Sequence, residues 1–307
     1  MNSSKVSIII PTYKRSDRIE KAVKSAINQN YTNFEVIVVD DNEPDSIERK
    51  ATEKVLEKYL TLDNFKYIKH THNKNGAAAR NTGIENSSGE YITFLDDDDE
   101  YYENKIAIQS KALDELEDDW GLVYTSYEKI DQYNNLQRST ENAEGNVLIQ
   151  VLTKNLFIGS GSNFMIRRRV VNEINGFDEK FERNQDLEFL VRALMNYKIK
   201  FVDTVTFLIH NEIRERKFSY EELENINTQY KEKFKDLILS LSNTERDEVF
   251  KTLSLLDIRT ALSYKHFIEA YKIYKKSPLN FSDILKYVKY LVNRVIHKTS
   301  YGFRLSN

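Results

Sequence analysis

The chain is 307 residues long, 40% hydrophobic and 30% charged, with 9 Gly, 3 Pro and no Cys. These values fit a folded chain with room for one large domain and an appendage, and they exclude disulfides, thiolate metal sites and thiol nucleophiles, so any metal must take carboxylate, imidazole or water ligands. The formal net charge of −3 is unevenly spread: from Lys251 onward 11 Lys and Arg face 3 Asp and Glu, a basic tail on an acidic body. In chain order, residues 6–10 predict a buried strand that Pro11 ends, and Ser16 or Asp17 is placed to cap a helix carrying Ile19, Ala22, Val23, Ala26 and Ile27 at helical spacing. Residues 34–39, 65–68 and 91–95 predict three further strands, with a helix over 77–85 before the last of them. This alternation predicts a parallel sheet covered by helices, and the groups that follow its strands gather at one sheet edge, where open α/β sheets bind ligands.

Beyond Trp120 the pattern turns mixed, with strands over 122–130, 163–167 and 201–209, a short helix over 147–156 and an amphipathic helix over 185–196. From about residue 217 nearly everything reads as helix, broken at Pro278. The expected division is an α/β domain over 1–215, with a first half 1–100 of alternating strands and helices and a mixed second half 101–215, followed by a helical extension over 216–307. The apolar segment 6–13 is too short for a signal peptide core, and no run of about 18 apolar residues occurs. The expectation is a cytoplasmic protein, stationed at the inner face of a membrane where a lipid surface recruits it.

Two motifs carry chemistry. Asp96 to Asp99 directly follow an apolar strand; adjacent carboxylates repel one another unless a cation offsets them, and a hard ion such as Mg²⁺ or Mn²⁺ binds one or two carboxylates plus substrate phosphates. The alternative is a solvated acidic turn, which the position at a strand end disfavours. In Asn75-Gly76-Ala77-Ala78-Ala79-Arg80-Asn81-Thr82-Gly83, small residues permit close approach and Arg80 offers a planar cation suited to phosphate oxygens. It lacks the endings of the nucleoside triphosphatase loop and of the dinucleotide fingerprint.

The runs VSIIIPTYKR, VIVVDDN, NGAAARNTG and FLDDDD, in this order and at this spacing, resemble glycosyltransferase family 2, over roughly residues 5–212. The resemblance implies the GT-A fold, a mixed central sheet flanked by helices, and inverting transfer of a sugar from a nucleotide diphosphate donor, commonly UDP, with Mn²⁺ or Mg²⁺. The acceptor would be a glycan or a lipid-linked molecule of a bacterial surface. Carried over position by position, it implies that Pro11, Thr12 and Tyr13 line the base pocket with Arg15 in the same donor-binding set, and that Asp41 accepts from the base. Gly76 and Arg80 would face the ribose and diphosphate, Asp96 and Asp97 would approach the ribose, and Asp98 would bind the metal, with the register among the four carboxylates left open.

The segment from Gly176 resembles the family's Glu-Asp pair at a helix start, with Gln185 in place of Glu and Asp186 at the catalytic base. A carboxylate there is what proton removal from an attacking hydroxyl needs; its other reading is a helix-terminal acid favoured by the dipole. His210, at the end of the strand 201–209, matches a position where the family often carries a metal- or diphosphate-side His. His70 and His72 have the spacing of a metal pair without a family counterpart, and Gly159 to Ser162 form a loop bordering the acceptor or simply a turn. The nearest rivals are a sugar nucleotidyltransferase, whose Gly-rich loop PTYKRSD does not supply, and a catalytically silent binding protein of the same fold.

In the tail, Ile284, Leu285, Val288, Leu291, Val292, Val295 and Ile296 share one side of a helix, with Lys286, Lys289, Arg294 and Lys298 elsewhere. This predicts a helix that packs on the catalytic domain or on a partner, a second copy included, with a membrane-surface helix as the alternative. No nucleic-acid module accompanies the basic charge, so nucleic acid is not an expected partner.

Overall fold

The computed structural model describes residues 3–211 and 218–305. The chain up to Val147 and from Ile158 to the end of the last strand forms one compact unit, and Leu148–Phe157 group with the C-terminal helices in a second. The expected boundary at residue 215 lies outside the described residues.

The first unit opens with β1 (Val6–Thr12), α1 (Ile19–Ile27), β2 (Phe34–Asp40), α2 (Ile47–Leu56), a 3₁₀ turn (Glu57–Tyr59), β3 (Phe65–Lys69), α3 (Gly76–Glu85) and β4 (Tyr91–Phe94). β1, β2 and β4 are apolar and buried along nearly their whole length, as strands covered on both faces must be. β1 continues two pairs beyond its expected end, because pairing with β4 has already stopped at Ile9 and Phe94 while Pro11 and Thr12 still face Val39 and Asp40 of β2. Gly83 lets α3 lie directly on β1: a Cβ there would stand 2.3 Å from Ile9 Cγ2. The buried Glu35 carboxylate joins Ser7 Oγ, Ser88 N–H and Lys66 Nζ; burial would raise its pKa, but these donors hold it down at about 2.

There follow β5 (Asp99–Tyr101), α4 (Lys105–Asp114), β6 (Trp120–Asp131), β7 (Leu136–Arg138), then β8 (Met165–Arg167), α6 (Arg168–Glu173), α7 (Gln185–Leu194) and β9 (Lys198–Asn211). Between β7 and β8 the chain forms α5 (Leu148–Leu152), which belongs to the second unit. Among the described residues nine strands make one sheet in the order β3-β2-β1-β4-β8-β6-β9-β5, with β7 on β6. The first four are parallel; β8 runs antiparallel to both β4 and β6, so the sheet is mixed. Beneath β4, Phe94, Phe164, Phe177 and Phe189 pack ring against ring, with centroids 4.2 to 6.1 Å apart.

The second unit continues with α8 (Tyr220–Lys233), α9 (Lys235–Ser240), α10 (Asn243–Ser263), α11 (Phe267–Lys276) and α12 (Phe281–His297), with Pro278 in the break before α12. Ser219, Ser242 and Asn280 start α8, α10 and α12 with capping boxes, each cap contributing about 1 kcal/mol. Its core joins Leu255, Leu279, Tyr287, Tyr290, Phe303 and Leu305. α12 does not bury the side its aliphatic pattern predicts. Tyr287 and Tyr290 form its inner face, with Ile284 and Leu291 partly buried, while Leu285, Val288, Val292, Val295 and Ile296 are exposed.

Candidate active site

β1 ends at Thr12, β2 at Asp40 and β4 at Phe94, and these strands are adjacent and parallel, so the residues after each collect at one edge of the sheet. After β4 the carboxylates alternate. Asp96 and Asp98 keep side-chain exposures of 27% and 21%, whereas Asp97 and Asp99 turn inward. Asp97 accepts from Thr12 Oγ1 at 2.8 Å and from Arg15 Nη1 at 2.9 Å; burial pushes its pKa up to about 6 despite Arg15. Asp99 accepts from Ser160 Oγ at 2.7 Å and Ser162 Oγ at 2.6 Å, and burial with the neighbouring Asp96 charge pushes it up to about 8. Ser162 Oγ in turn accepts from the Asp96 N–H at 2.9 Å. The loop Gly159 to Ser162 therefore fixes the acidic turn, and Gly161 also lies beside Asp186, with a Cβ there standing 3.8 Å from Asp186 Cβ.

Each outward carboxylate meets one arginine. Arg15 Nη1 lies 2.5 Å from Asp98 Oδ2, and Arg80 Nη2 lies 2.6 Å from Asp96 Oδ1. Arg80 is set by three further contacts: Nη1 donates to Gln185 Oε1 at 2.9 Å and to Gly76 O at 3.3 Å, and the guanidinium stands 5.6 Å from the Phe177 ring centre. Gly76 makes room for this, since a Cβ would stand 3.1 Å from Arg80 Nη1 and 3.2 Å from Gln185 Oε1. Gln185, the departure from the family's Glu, thus joins the same cluster as Arg80 and Asp96. Asp186 follows it in the first turn of α7. Burial and the nearby Asp96 charge raise its pKa, partly opposed by the Leu187 N–H bond and Arg80.

Asp41 sits at 2% exposure with its carboxylate filled by the loop before α3: His70 Nδ1 at 2.7 Å, Lys74 N–H at 2.8 Å, Asn75 N–H and Asn73 Nδ2 each at 2.9 Å. Four donors use the acceptor capacity of a carboxylate. Asp41 therefore shapes the loop from which Gly76 and Arg80 rise. His70 places its Nε2 2.9 Å from Thr82 Oγ1, so both its nitrogens are engaged, and His72 is exposed; the two do not pair as metal ligands. Tyr13 is 40% exposed at the rim beside Pro11 and Thr12. His210 Nε2 lies 2.7 Å from Glu100 Oε1, on the β9–β5 pairing, and is not gathered with Asp98 in any cluster of three metal-binding groups among the described residues.

Three residues at the site's edges, Lys14, Asn75 and Asn184, have φ of 57°, 85° and 58°, a left-handed conformation costly for a residue with a side chain. Asn75 offsets part of this by capping α3, accepting from the Ala77 and Ala78 N–H groups.

The sequence reading missed two buried cations. Lys105 Nζ, wholly buried, donates to Asn163 O at 2.7 Å and Gln109 Oε1 at 2.8 Å; burial lowers its pKa well below the usual range, with Asp99 opposing. Arg49 holds Asp40 Oδ2 at 3.2 Å and donates to His70 O at 3.0 Å. Neither carries a pattern signal, since a charged residue on a helix is expected to face water.

This sheet and its acidic edge define the GT-A class of nucleotide-diphospho-sugar transferase folds. Among solved structures, TarS of S. aureus (residues 1–349) matches with TM-score 0.61 and 21% identity, covering 85% of this chain and 72% of that one. PcManGT from Pyrobaculum calidifontis, solved with GDP-Man and Mn²⁺, matches with TM-score 0.58 and 16% identity over 96% of this chain and 81% of that one. The profile described as Glycosyl transferase family 2 matches residues 7–174, more than half of the chain, and the chain belongs to this family. An uncharacterized glycosyltransferase of Rickettsia conorii is 38% identical over 50% of the chain, which spans only about a quarter (24%) of that relative's length. The amylovoran biosynthesis glycosyltransferase AmsB of Erwinia amylovora is 31% identical over 63% of this chain and 65% of its own. WfgD of Escherichia coli, a UDP-Glc:alpha-D-GlcNAc-diphosphoundecaprenol beta-1,3-glucosyltransferase, is 28% identical over 66% of this chain and 75% of its own.

Proposed function

We propose that this protein transfers a sugar from a nucleotide diphosphate donor, a UDP-sugar, to a hydroxyl of a glycan or lipid-linked acceptor, with inversion at the anomeric carbon. The observation that carries the reading is the pairing of two outward carboxylates, Asp96 with Arg80 and Asp98 with Arg15, beside the part-buried Asp186. Family membership supports it, as do the UDP-GlcNAc complex of TarS and the diphosphoundecaprenol acceptor in the name of WfgD.

A divalent cation fits the donor set. Asp96 and Asp98 are hard oxygen ligands that remain accessible, and one or two carboxylates completed by phosphate oxygens are what Mg²⁺ or Mn²⁺ takes. Asp98 would hold it, and when bound it would offset charge on the leaving diphosphate. His210 stays with Glu100 in this assignment. Arg80 and Arg15 would neutralise donor oxygens once Asp96 and Asp98 are shared with the cation. Asp186 takes the proton from the acceptor hydroxyl as that oxygen bonds the anomeric carbon and the bond to the diphosphate breaks in line. Asp41 serves the base pocket through the loop it holds, with Pro11, Thr12 and Tyr13 at the rim; Asp97 anchors Thr12 and Arg15 under the ribose side.

The test is UDP binding by calorimetry with Mn²⁺, with Mg²⁺ and with excess chelator, for the native chain and Asp98→Ala. Binding should need the cation and weaken by at least about tenfold in the variant, the order of loss seen when metal sites are perturbed. Equal affinity in chelator would remove the cation from the reading, and absence of binding to any nucleotide diphosphate would remove the donor.

A further inference from the structure

We infer that the outer face of α12 docks on an anionic lipid surface. Phe281, Leu285, Val288, Val292 and Val295 repeat at alternating steps of four and three residues, which places them in one stripe along the helix, and Ile296 widens it. All six are between 48% and 78% exposed, on a helix whose opposite side is tied into the core by Tyr287 and Tyr290. α11 adds a second exposed group, Phe267, Ile268 and Tyr271. Large apolar residues so grouped mark an interaction surface.

Charge selects the occupant. On α12 every exposed ionisable residue is basic or imidazole, Lys286, Lys289 and His297, with Lys298 directly after; its one acid, Asp283, is buried in the N-terminal capping box and lies 3.4 Å from Lys251 Nζ. α11 repeats the bias with exposed Lys272, Lys275 and Lys276 against Glu269, which pairs with Lys272 at 3.0 Å. A second copy seated on this stripe would bring two basic rims together, with only Glu269, already paired with Lys272, to set against them. Anionic headgroups answer the rims, and the acyl boundary answers the stripe. Among the described residues no helix is long and apolar enough to cross a membrane, so the helix lies on the surface.

The full chain is to be co-sedimented with vesicles of phosphatidylcholine alone and of phosphatidylcholine with phosphatidylglycerol, alongside light scattering of the protein without lipid. The variants are Lys289→Glu and the pair Val292→Glu with Ile296→Glu, all at exposed positions, with thermal unfolding as the folding control. The protein should sediment with the anionic vesicles, less so as salt is raised, and each variant should weaken binding by about tenfold. Asp186→Asn should bind vesicles like the native chain, which separates this inference from the reading of the active site. Three results would overturn it: no preference for anionic vesicles, binding indifferent to both variants, or a dimer in light scattering that the same variants dissolve.

Discussion

At the residue scale, the two aspartates that close the second strand divide the work of holding one corner of the site. Asp40 binds Arg49 and accepts from Tyr67 OH at 2.5 Å, while Asp41 gathers the four donors of the loop before α3. Removing the Asp41 carboxylate leaves the buried His70 Nδ1 without its partner, at about 1–3 kcal/mol, and frees the part-buried donors of Asn73, Lys74 and Asn75. Asp41→Ala is therefore expected to lower the thermal midpoint and to weaken nucleotide binding with or without cation; normal affinity in a normally stable variant would contradict its role. This was only half legible beforehand: the motif marked Asp41 as functional, but its partners lie about thirty residues further on, where no local pattern announces them. Asp186 allows a pH prediction. Its pKa is raised from the ordinary 3.8 by burial and by Asp96, so its protonated form, idle in the proposed role of base, persists to higher pH than for a free carboxylate. The transfer rate should rise with pH through a limb displaced above 3.8, and Asp186→Glu, on a longer side chain, should move that limb. A profile whose acid limb is the same in both proteins would assign it to another group.

At the scale of elements, the acidic turn is held from outside itself. Ser162 connects the Asp96 N–H to the Asp99 carboxylate, and Asn163 beside it accepts from the buried Lys105. Ser162→Ala leaves both groups short of a partner, and a loss of about 1–3 kcal/mol in stability with weaker donor binding is expected; chemical denaturation and UDP titration on one preparation would check both. The hydrophobic periodicity located β1, β2, β4, α3 and α7 because their buried faces are aliphatic. It passed over α2, whose buried positions are Arg49, Thr52 and Leu56 while Ile47 is fully outside. In α12 the inner face is built from tyrosines, Tyr290 OH donating to Tyr301 O at 2.7 Å, so the aliphatic stripe that the periodicity picks out is left free for a partner or a surface. β5 and β7, three residues each, are too short for any period to show.

For the whole molecule, the order of four motifs carried the fold, since each marks the end of a strand or the start of a helix at one sheet edge. Their spacing did not show that Leu148–Phe157 leaves the sheet unit for the helical one, because an amphipathic helix of five residues does not say which core it joins. The same motifs serve a transferase and a protein that only binds the donor, and the chemistry of Asp186 separates the two. The decisive measurement is transfer rate and UDP-sugar affinity on purified Asp186→Asn, with thermal unfolding as control and a panel of UDP-sugars and glycan or lipid-linked acceptors as substrates. Loss of the base predicts unchanged folding, near-native donor affinity and transfer reduced by about 10²- to 10⁴-fold. Near-native transfer by a normally folded variant would contradict the account, because an amide in the first turn of α7 can still accept from the Leu187 N–H but cannot take the acceptor's proton.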